Sequence, residues 1–293
     1  MSQEAKALAH VAEAEKKKKG GWFSGPRFDE ASESYSAAAN CMKMAKNLEK
    51  AAEYFEAAAV CSIQSNNKYE GASLYVKAGE CSKSNPKRKA AFYLKAIELY
   101  SEEGRFTTAA KYHKELAESF EEAGDVDNAI VHFEAAAELY DGDNSEAHGN
   151  QCKLKVAHLA GEKGDYKKAI GIFEETATQS LNNRIRKYNV KEYYLKAGIC
   201  YLCLGDTVAL RNALNRYRAQ DYTFASQRES ALLDKLIAAV DDFDSDEFSR
   251  ALGEFNSISP MDNWKVDRLV KVKRDLDESK VEDSLGDDAH ELL

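Results

Sequence analysis

Two cysteines in one helical segment have the spacing that most resembles a reactive centre. Cys200 and Cys203 form a CxxC pair, which other proteins use for disulfide exchange or zinc binding. A zinc site needs further ligands, and the sequence has no second CxxC and no histidine pair nearby. Because the pair falls in mid-helix, we expect two buried thiols that pack as small apolar side chains.

Other catalytic patterns are absent from the sequence. It contains no GxxxxGK(S/T) loop, no GxGxxG, no HExxH and no GxSxG. Its six histidines are scattered, and paired carboxylates such as Glu121-Glu122 and Glu174-Glu175 fall on predicted solvated helix faces. The net charge is −9, without a recognised nucleic-acid reader motif. We therefore predict no enzyme activity, no cofactor or metal, no small-molecule substrate and no nucleic acid.

Four cations are spaced at intervals close to one helical hairpin. They are separated by 44, 36 and 37 residues: Lys111, Lys155, Lys191 and Arg228. Residues one hairpin apart recur on the same face of stacked hairpins, so the four could line a stripe that meets an acidic rod. A lysine-rich chain also produces such spacings by coincidence, so the spacing alone does not establish that the four cations form a binding stripe.

An aromatic pair stands between glycines at residues 20–26, directly after four lysines. Two interpretations of Trp22 and Phe23 are open. They could fold back on the first hairpin as a hydrophobic staple, or form an exposed wedge for a bilayer or a partner. Full burial of both rings would contribute several kcal/mol at ~25 cal/mol per Å², which suits reversible attachment.

The carboxyl end is acidic and finishes in two leucines. Residues 275–293 carry eight acids against Lys280, and they follow a basic segment, 264–274. Such a tail could be a solubilising appendage. Alternatively, its charge could steer Leu292 and Leu293 into a pocket of a basic partner.

A repeating pattern supplies the elements that position these residues. A small residue, an aromatic or long residue four positions later and an Ala three further on recur every 18 to 21 residues, as in Ala31-Tyr35-Ala38 and Ala51-Phe55-Ala58. Offsets of four and three lie on one helix face, and the period is typical of stacked helical hairpins. We predict an all-α, TPR-like α-solenoid, a twisted helical sheet, at 1–206. A C-terminal helical bundle with the acidic tail should occupy 207–293.

The composition indicates a folded protein outside the membrane. Hydrophobic residues make up 44% and charged residues 31% of the 293 residues, and no apolar run approaches the ~18 residues of a membrane span. The amino-terminal segment also lacks the apolar stretch of a signal peptide. We expect a cytoplasmic protein.

Several colinear segments resemble the soluble NSF attachment proteins, the adaptors of the ATPase called N-ethylmaleimide-sensitive factor (NSF). The resemblance covers essentially the whole chain. It is carried by 22–25 (WFSG), 42–47 (MKMAKN), 104–111 (GRFTTAAK), 179–183 (QSLNN), 187–188 (KY), 197–200 (AGIC), 262–265 (DNWK) and the leucine-ended tail.

The resemblance implies an adaptor role in vesicle-mediated transport. Members of this family wrap assembled SNARE four-helix bundles (syntaxin-, SNAP-25- and synaptobrevin-type chains) on the cytosolic face of membranes. They then recruit NSF, which separates the bundle. The four cations match the SNARE-facing positions, with Gln151 where the family has another lysine. Trp22 and Phe23 match the membrane-attachment loop.

The resemblance also implies an NSF-facing end. Asp206, Asp241 and Asp242 match the acids that meet NSF, with Ala238 in place of a neighbouring acid. Leu292, with Leu293 beside it, matches the leucine that stimulates the ATPase; which of the two acts stays open. The alternative is a generic TPR scaffold that holds a short peptide, such as a chaperone tail.

Overall fold

The structure is a computed structural model. It describes the backbone of residues 2–21 and 25–290, and the side-chain surroundings within those ranges as far as residue 279. The described chain forms fourteen α-helices: α1 Gln3–Lys19, α2 Phe28–Met44, α3 Leu48–Gln64, α4 Lys68–Cys81, α5 Pro86–Glu102, α6 Phe106–Glu122, α7 Val126–Gly142, α8 Glu146–Lys163, α9 Tyr166–Leu181, α10 Val190–Cys203, α11 Thr207–Gln220, α12 Arg228–Asp241, α13 Ser245–Ile258 and α14 Asn263–His290. The predicted all-α class is confirmed.

One turn design joins most of these helices. A residue with positive φ is followed at once by the residue that precedes the next helix. The positive-φ positions at these turns are Lys46, Asn66, Gly104, Gly124, Asn144, Gly164, Gly205 and Phe243. The residue that follows is an Asn or Asp in six of the eight turns, and at all six its side chain accepts the amide of the third helical residue: Asn47, Asn67, Asp125, Asp165, Asp206 and Asp244. Such caps end one helix and begin the next within three residues.

Phe243 stands out among these turn residues. Its φ is 49°, a region that a residue with a side chain enters at a cost of roughly 1–2 kcal/mol. Its amide donates to the Val240 carbonyl at 3.3 Å, and the Asp244 amide donates to the Ala239 carbonyl at 2.8 Å. The turn therefore forces an aromatic residue into the conformation that glycine adopts at four of the other turns.

The first compact unit, Met1–Cys152, is built on the repeating pattern. Each helix from α1 to α7 packs against its neighbours in sequence. The small residues Ala31, Ala38, Ala51 and Ala58 are fully buried, and the intervening rings are almost fully buried. The pattern is thus a packing motif, since a methyl group lets a neighbouring helix approach closely enough to cover the ring beside it.

The second compact unit, Lys153–Leu293, has a core built around aromatic rings. Tyr194 and Tyr217 stack with their ring centroids 4.1 Å apart, and Phe224 meets Tyr194 edge-on at 5.1 Å. The predicted boundary at 206/207 falls inside this unit, and it stays a prediction. The α14 helix continues to His290, and no proline follows Pro260 in the sequence to interrupt it.

Alternate helices also contact each other within each unit. Lys95 on α5 pairs with Glu56 on α3 at 2.8 Å, and Arg216 on α11 pairs with Glu174 on α9 at 3.0 Å. Contacts between helices two apart, added to those between sequence neighbours, produce two layers of helices. Within each unit, residues on every second helix therefore share a layer.

Candidate interaction surfaces

Lys111 lies on the exposed side of α6. The opposite side buries Ala109, Ala110, Leu116 and Ala117, so the 4-and-3 spacing turns Lys111 outward. Its side chain is 60% exposed and its Nζ is 3.6 Å from Glu115 Oε1, one helical turn along. An exposed i,i+4 pair of this kind contributes only about 0.3–0.5 kcal/mol, so the ammonium can exchange it for another carboxylate.

Lys155, Lys191 and Arg228 lie on successive even-numbered helices of the second unit. They belong to α8, α10 and α12, and each residue is exposed. The three helices are neighbours: His158 on α8 bonds a lysine of α10 at 2.8 Å, and α10 packs on α12. The structure thus brings these three predicted cations onto one layer of helices, whereas Lys111 belongs to the first unit.

Lys191 has a structural role that the sequence did not predict. Its Nζ is 2.9 Å from Oε1 of Glu229, whose side chain is only 7% exposed. The other oxygen, Oε2, is buried and has no hydrogen-bond partner among the described residues. Removing Lys191 would leave the buried Glu229 carboxylate without its ion-pair partner and so destabilise this part of the fold.

Exposed apolar and basic residues beside Lys191 were also missed at the sequence level. Ile185 and Tyr188 are 83% and 81% exposed. Tyr188, Arg184, Lys187 and Lys191 line one cleft of about 520 Å³. The available signal was the segment 182–189, where the short turn design gives way to a longer connection with a 3-10 turn, Arg186–Asn189. A long connection that carries exposed aromatic and basic side chains is a common place for binding.

The predicted acidic residues lie at two adjacent turns of the second unit, between α10 and α11 and between α12 and α13. Asp206 caps α11, accepting the Ala209 amide at 2.7 Å. Asp241, at the end of α12, accepts the Thr207 hydroxyl at 2.7 Å and pairs with Arg211. Asp242 follows it and is exposed. The structure therefore places all three acids around two adjacent turns, although Asp241 is already partly neutralised.

A buried charged cluster attaches α14 to α8 and α10. Trp264 Nε1 donates to the His158 carbonyl at 3.0 Å, and its Cζ2 lies only 2.6 Å from where a Cβ at Gly161 would stand. Lys265 pairs with Glu192 and, at 3.3 Å, with Asp262.

The same cluster shifts the pKa values of two members. Burial, and next the charge of Lys196, lowers the pKa of His158 to about 4, so the imidazole is neutral at pH 7 and can accept a hydrogen bond from Lys196. Burial acts to raise the pKa of Asp262, but the Lys265 amide and the two lysine charges outweigh it and leave that pKa lowered. The cluster fixes the start of α14 and offers no open site.

The cysteines behave as predicted. Cys200 and Cys203 are both buried in α10, and the Cys203 thiol donates to the Arg268 carbonyl at 3.7 Å. Burial raises the pKa of Cys203 to about 11 and also raises that of Cys200. Within the described ranges, no group of three or more His, Cys, Asp or Glu side chains could hold a metal ion.

The remaining predicted residues fall outside the described part of the chain. These are the aromatic pair Trp22 and Phe23 and the terminal Leu292 and Leu293. None of the described helices has both the length and the apolar content that crossing a bilayer requires.

The fold and its surfaces define a class of protein: a scaffold of helical hairpins whose candidate binding residues, both charged and apolar, lie on exposed faces. The family model for "Soluble NSF attachment protein, SNAP" matches residues 4–277. The chain belongs to this family, as the sequence motifs predicted.

Several relatives match over nearly their full length. The chain is 46% identical to the alpha-soluble NSF attachment protein of Dictyostelium discoideum, covering 93% of this chain and 96% of the relative. It is 40% identical to the protein of that name from Vitis vinifera, over 92% and 94% of the two chains. The vesicular-fusion protein SEC17 of Coprinopsis cinerea is also 40% identical, over 94% and 96%.

Proposed function

We propose that this chain is a non-enzymatic adaptor in vesicle fusion. It binds assembled SNARE four-helix bundles at the cytosolic face of membranes and recruits NSF, whose ATPase activity it stimulates so that the bundle is taken apart. The observation that carries the proposal is the family match across residues 4–277, together with relatives named for NSF attachment and vesicular fusion.

In this proposal the SNARE bundle contacts cations of both units: Lys111 in the first unit, and Lys155, Lys191 and Arg228 in the second. Lys111, Lys155, Lys191 and Arg228 present positive charge to a rod whose surface is acidic, so binding depends on the shape and charge of the bundle. Exposed charges at 0.1–0.15 M salt are screened beyond about 8–10 Å, so only side chains close to the rod contribute. Ile185 and Tyr188 add apolar contact next to Lys191, which salt does not weaken.

The NSF-binding end consists of Asp206, Asp241 and Asp242, with the terminal leucines as a second element. The acids surround two adjacent turns, which form a rigid acidic surface suited to a basic domain. Leu292 and Leu293 lie beyond the described residues, so their role rests on the family resemblance alone.

A competition assay tests the SNARE-binding function. The full-length chain is immobilised and loaded with a labelled, folded SNARE bundle. Excess unlabelled bundle is expected to displace the label completely, and an isolated acidic peptide of the chaperone-tail type is expected to displace none. Displacement by the peptide at a similar concentration would instead support a peptide-binding scaffold.

The amino-terminal loop supplies membrane attachment in this proposal. Replacing Trp22 and Phe23 together with serine is expected to lower co-flotation with anionic liposomes at least tenfold, because two rings no longer leave water on binding. Phe106→Ser is the matched control, since Phe106 is an exposed aromatic (42%) on α6, outside the loop. Unchanged flotation of the double variant would favour the hydrophobic-staple hypothesis, in which the two rings pack on the protein.

A further inference from the structure

An exposed phenylalanine adopts the left-handed backbone conformation in the turn between α12 and α13. Seven other turns place Gly, Asn or Lys at the equivalent position, whereas this turn has Phe243 at φ 49°. Burial does not explain the choice, because Phe243 is 45% exposed. A strained residue that the core does not need is a candidate for a role in binding.

A cleft with both apolar and acidic lining lies beside this phenylalanine. Its volume is about 460 Å³, and Phe243, Leu204, Val240, Val272 and Leu276 form its apolar part, while Asp241 and Asp275 contribute carboxylates. Leu204 is itself partly exposed, at the end of α10. Two turns and α14 thus surround a hollow large enough for one or two apolar side chains of another protein.

The surroundings of the cleft are strongly acidic. Residues 204–211 and 240–247 together carry six carboxylates and a single cation, Arg211, which pairs with Asp241. On the α14 side, Asp275 pairs with Lys271 at 2.5 Å. Asp242 is the exposed carboxylate next to Phe243. A partner with positive charge around an apolar side chain would complement this cleft.

We infer that Phe243 and the cleft beside it form an apolar contact for the basic domain of NSF, at the centre of the acidic end. The inference rests on the proposed function, which supplies the partner. The carboxylates steer and orient that domain, while the ring and cleft bury its apolar side chain. Interfaces of this design concentrate their binding energy in a central aromatic surrounded by polar groups.

Phe243→Gly tests the assignment because its effects on folding and on binding should have opposite signs. Glycine relieves the strain of the turn, so the denaturation midpoint should stay the same or rise. Affinity for NSF held in a non-hydrolysable ATP analogue should fall about tenfold, measured on full-length chain attached by its amino terminus. Phe106→Gly, at a similarly exposed aromatic, should leave this affinity unchanged.

A salt series separates the apolar contribution from the charged one. The loss in Phe243→Gly should persist at 0.3 M salt, whereas the loss in Asp242→Asn should shrink. Leu204→Ser, on the other side of the cleft, should reproduce the Phe243 effect if Phe243→Gly proves poorly folded. Binding within twofold of wild type in either folded variant would overturn the inference. Failure of the wild-type chain to bind NSF at all would instead refute the proposed function.

Discussion

Lys111→Glu combined with Lys155→Glu is expected to weaken capture of the assembled SNARE bundle by about 100- to 1,000-fold. Each exposed contact between unit charges at about 4 Å is worth roughly 1 kcal/mol in water, and reversal replaces attraction with repulsion. Two sites therefore change the binding free energy by about 4 kcal/mol before screening. A pull-down with folded bundle at 0.1 M salt measures the loss.

The fold should be unaffected by this pair of substitutions. Lys111 and Lys155 are exposed residues, so circular dichroism and the denaturation midpoint should match the wild type. Lys50→Glu with Lys167→Glu is the control: both residues are exposed, they lie on odd-numbered helices, α3 in the first unit and α9 in the second, and the change in net charge is identical. If the first pair retained full binding, Lys111 and Lys155 would not be SNARE-binding residues.

Lys191 is deliberately left out of that variant. A glutamate there would face the buried Glu229 and destabilise α10 and α12, so a loss of binding would have two causes. The ion pair also implies that Lys191 is fixed in place before any partner arrives, which lowers the entropy cost of using it.

Leu292→Ala combined with Leu293→Ala is expected to return NSF to its basal ATPase rate while leaving SNARE capture within twofold of wild type. The two side chains are the only apolar residues in the last four positions, so their removal takes away the contact that the acidic tail delivers. A phosphate-release assay with saturating SNARE bundle measures the stimulation.

The single variants decide which leucine acts, because the resemblance leaves the register open by one residue. Glu291→Gln serves as the control, since it keeps both leucines and removes one adjacent charge. Stimulation that survives the double substitution would rule out the terminal leucines and leave the acidic turns as the only element acting on NSF.

Local features of the structure could be predicted from the sequence, and long-range ones could not. The Ala31-Tyr35-Ala38 spacing predicts both a helix and its buried face, because the information lies within two helical turns. The partner of Lys191 is 38 residues away, and Trp264 bonds a carbonyl 106 residues away. Such pairs depend on how helices stack, which periodicity does not specify.

The same distinction applies to the candidate site: some of its features could be predicted from the sequence and others could not. The cation spacing predicted residues on alternate helices, and the structure places Lys155, Lys191 and Arg228 there. The exposure of Ile185 and Tyr188, and the left-handed turn at Phe243, depend on backbone geometry where the repeat ends. Nothing in the residue types alone distinguishes an exposed phenylalanine in a turn from a buried one.

Because all six cysteines are buried, the reaction of each thiol with an alkylating reagent can report local unfolding of the helix that carries it. All six thiols are buried, at Cys41, Cys61, Cys81, Cys152, Cys200 and Cys203. Burial raises the pKa of Cys61, Cys81, Cys152, Cys200 and Cys203. Alkylating reagents attack exposed thiolates, so the closed chain should react slowly. Each thiol that does react reports that its own helix has opened, at a known position along the array.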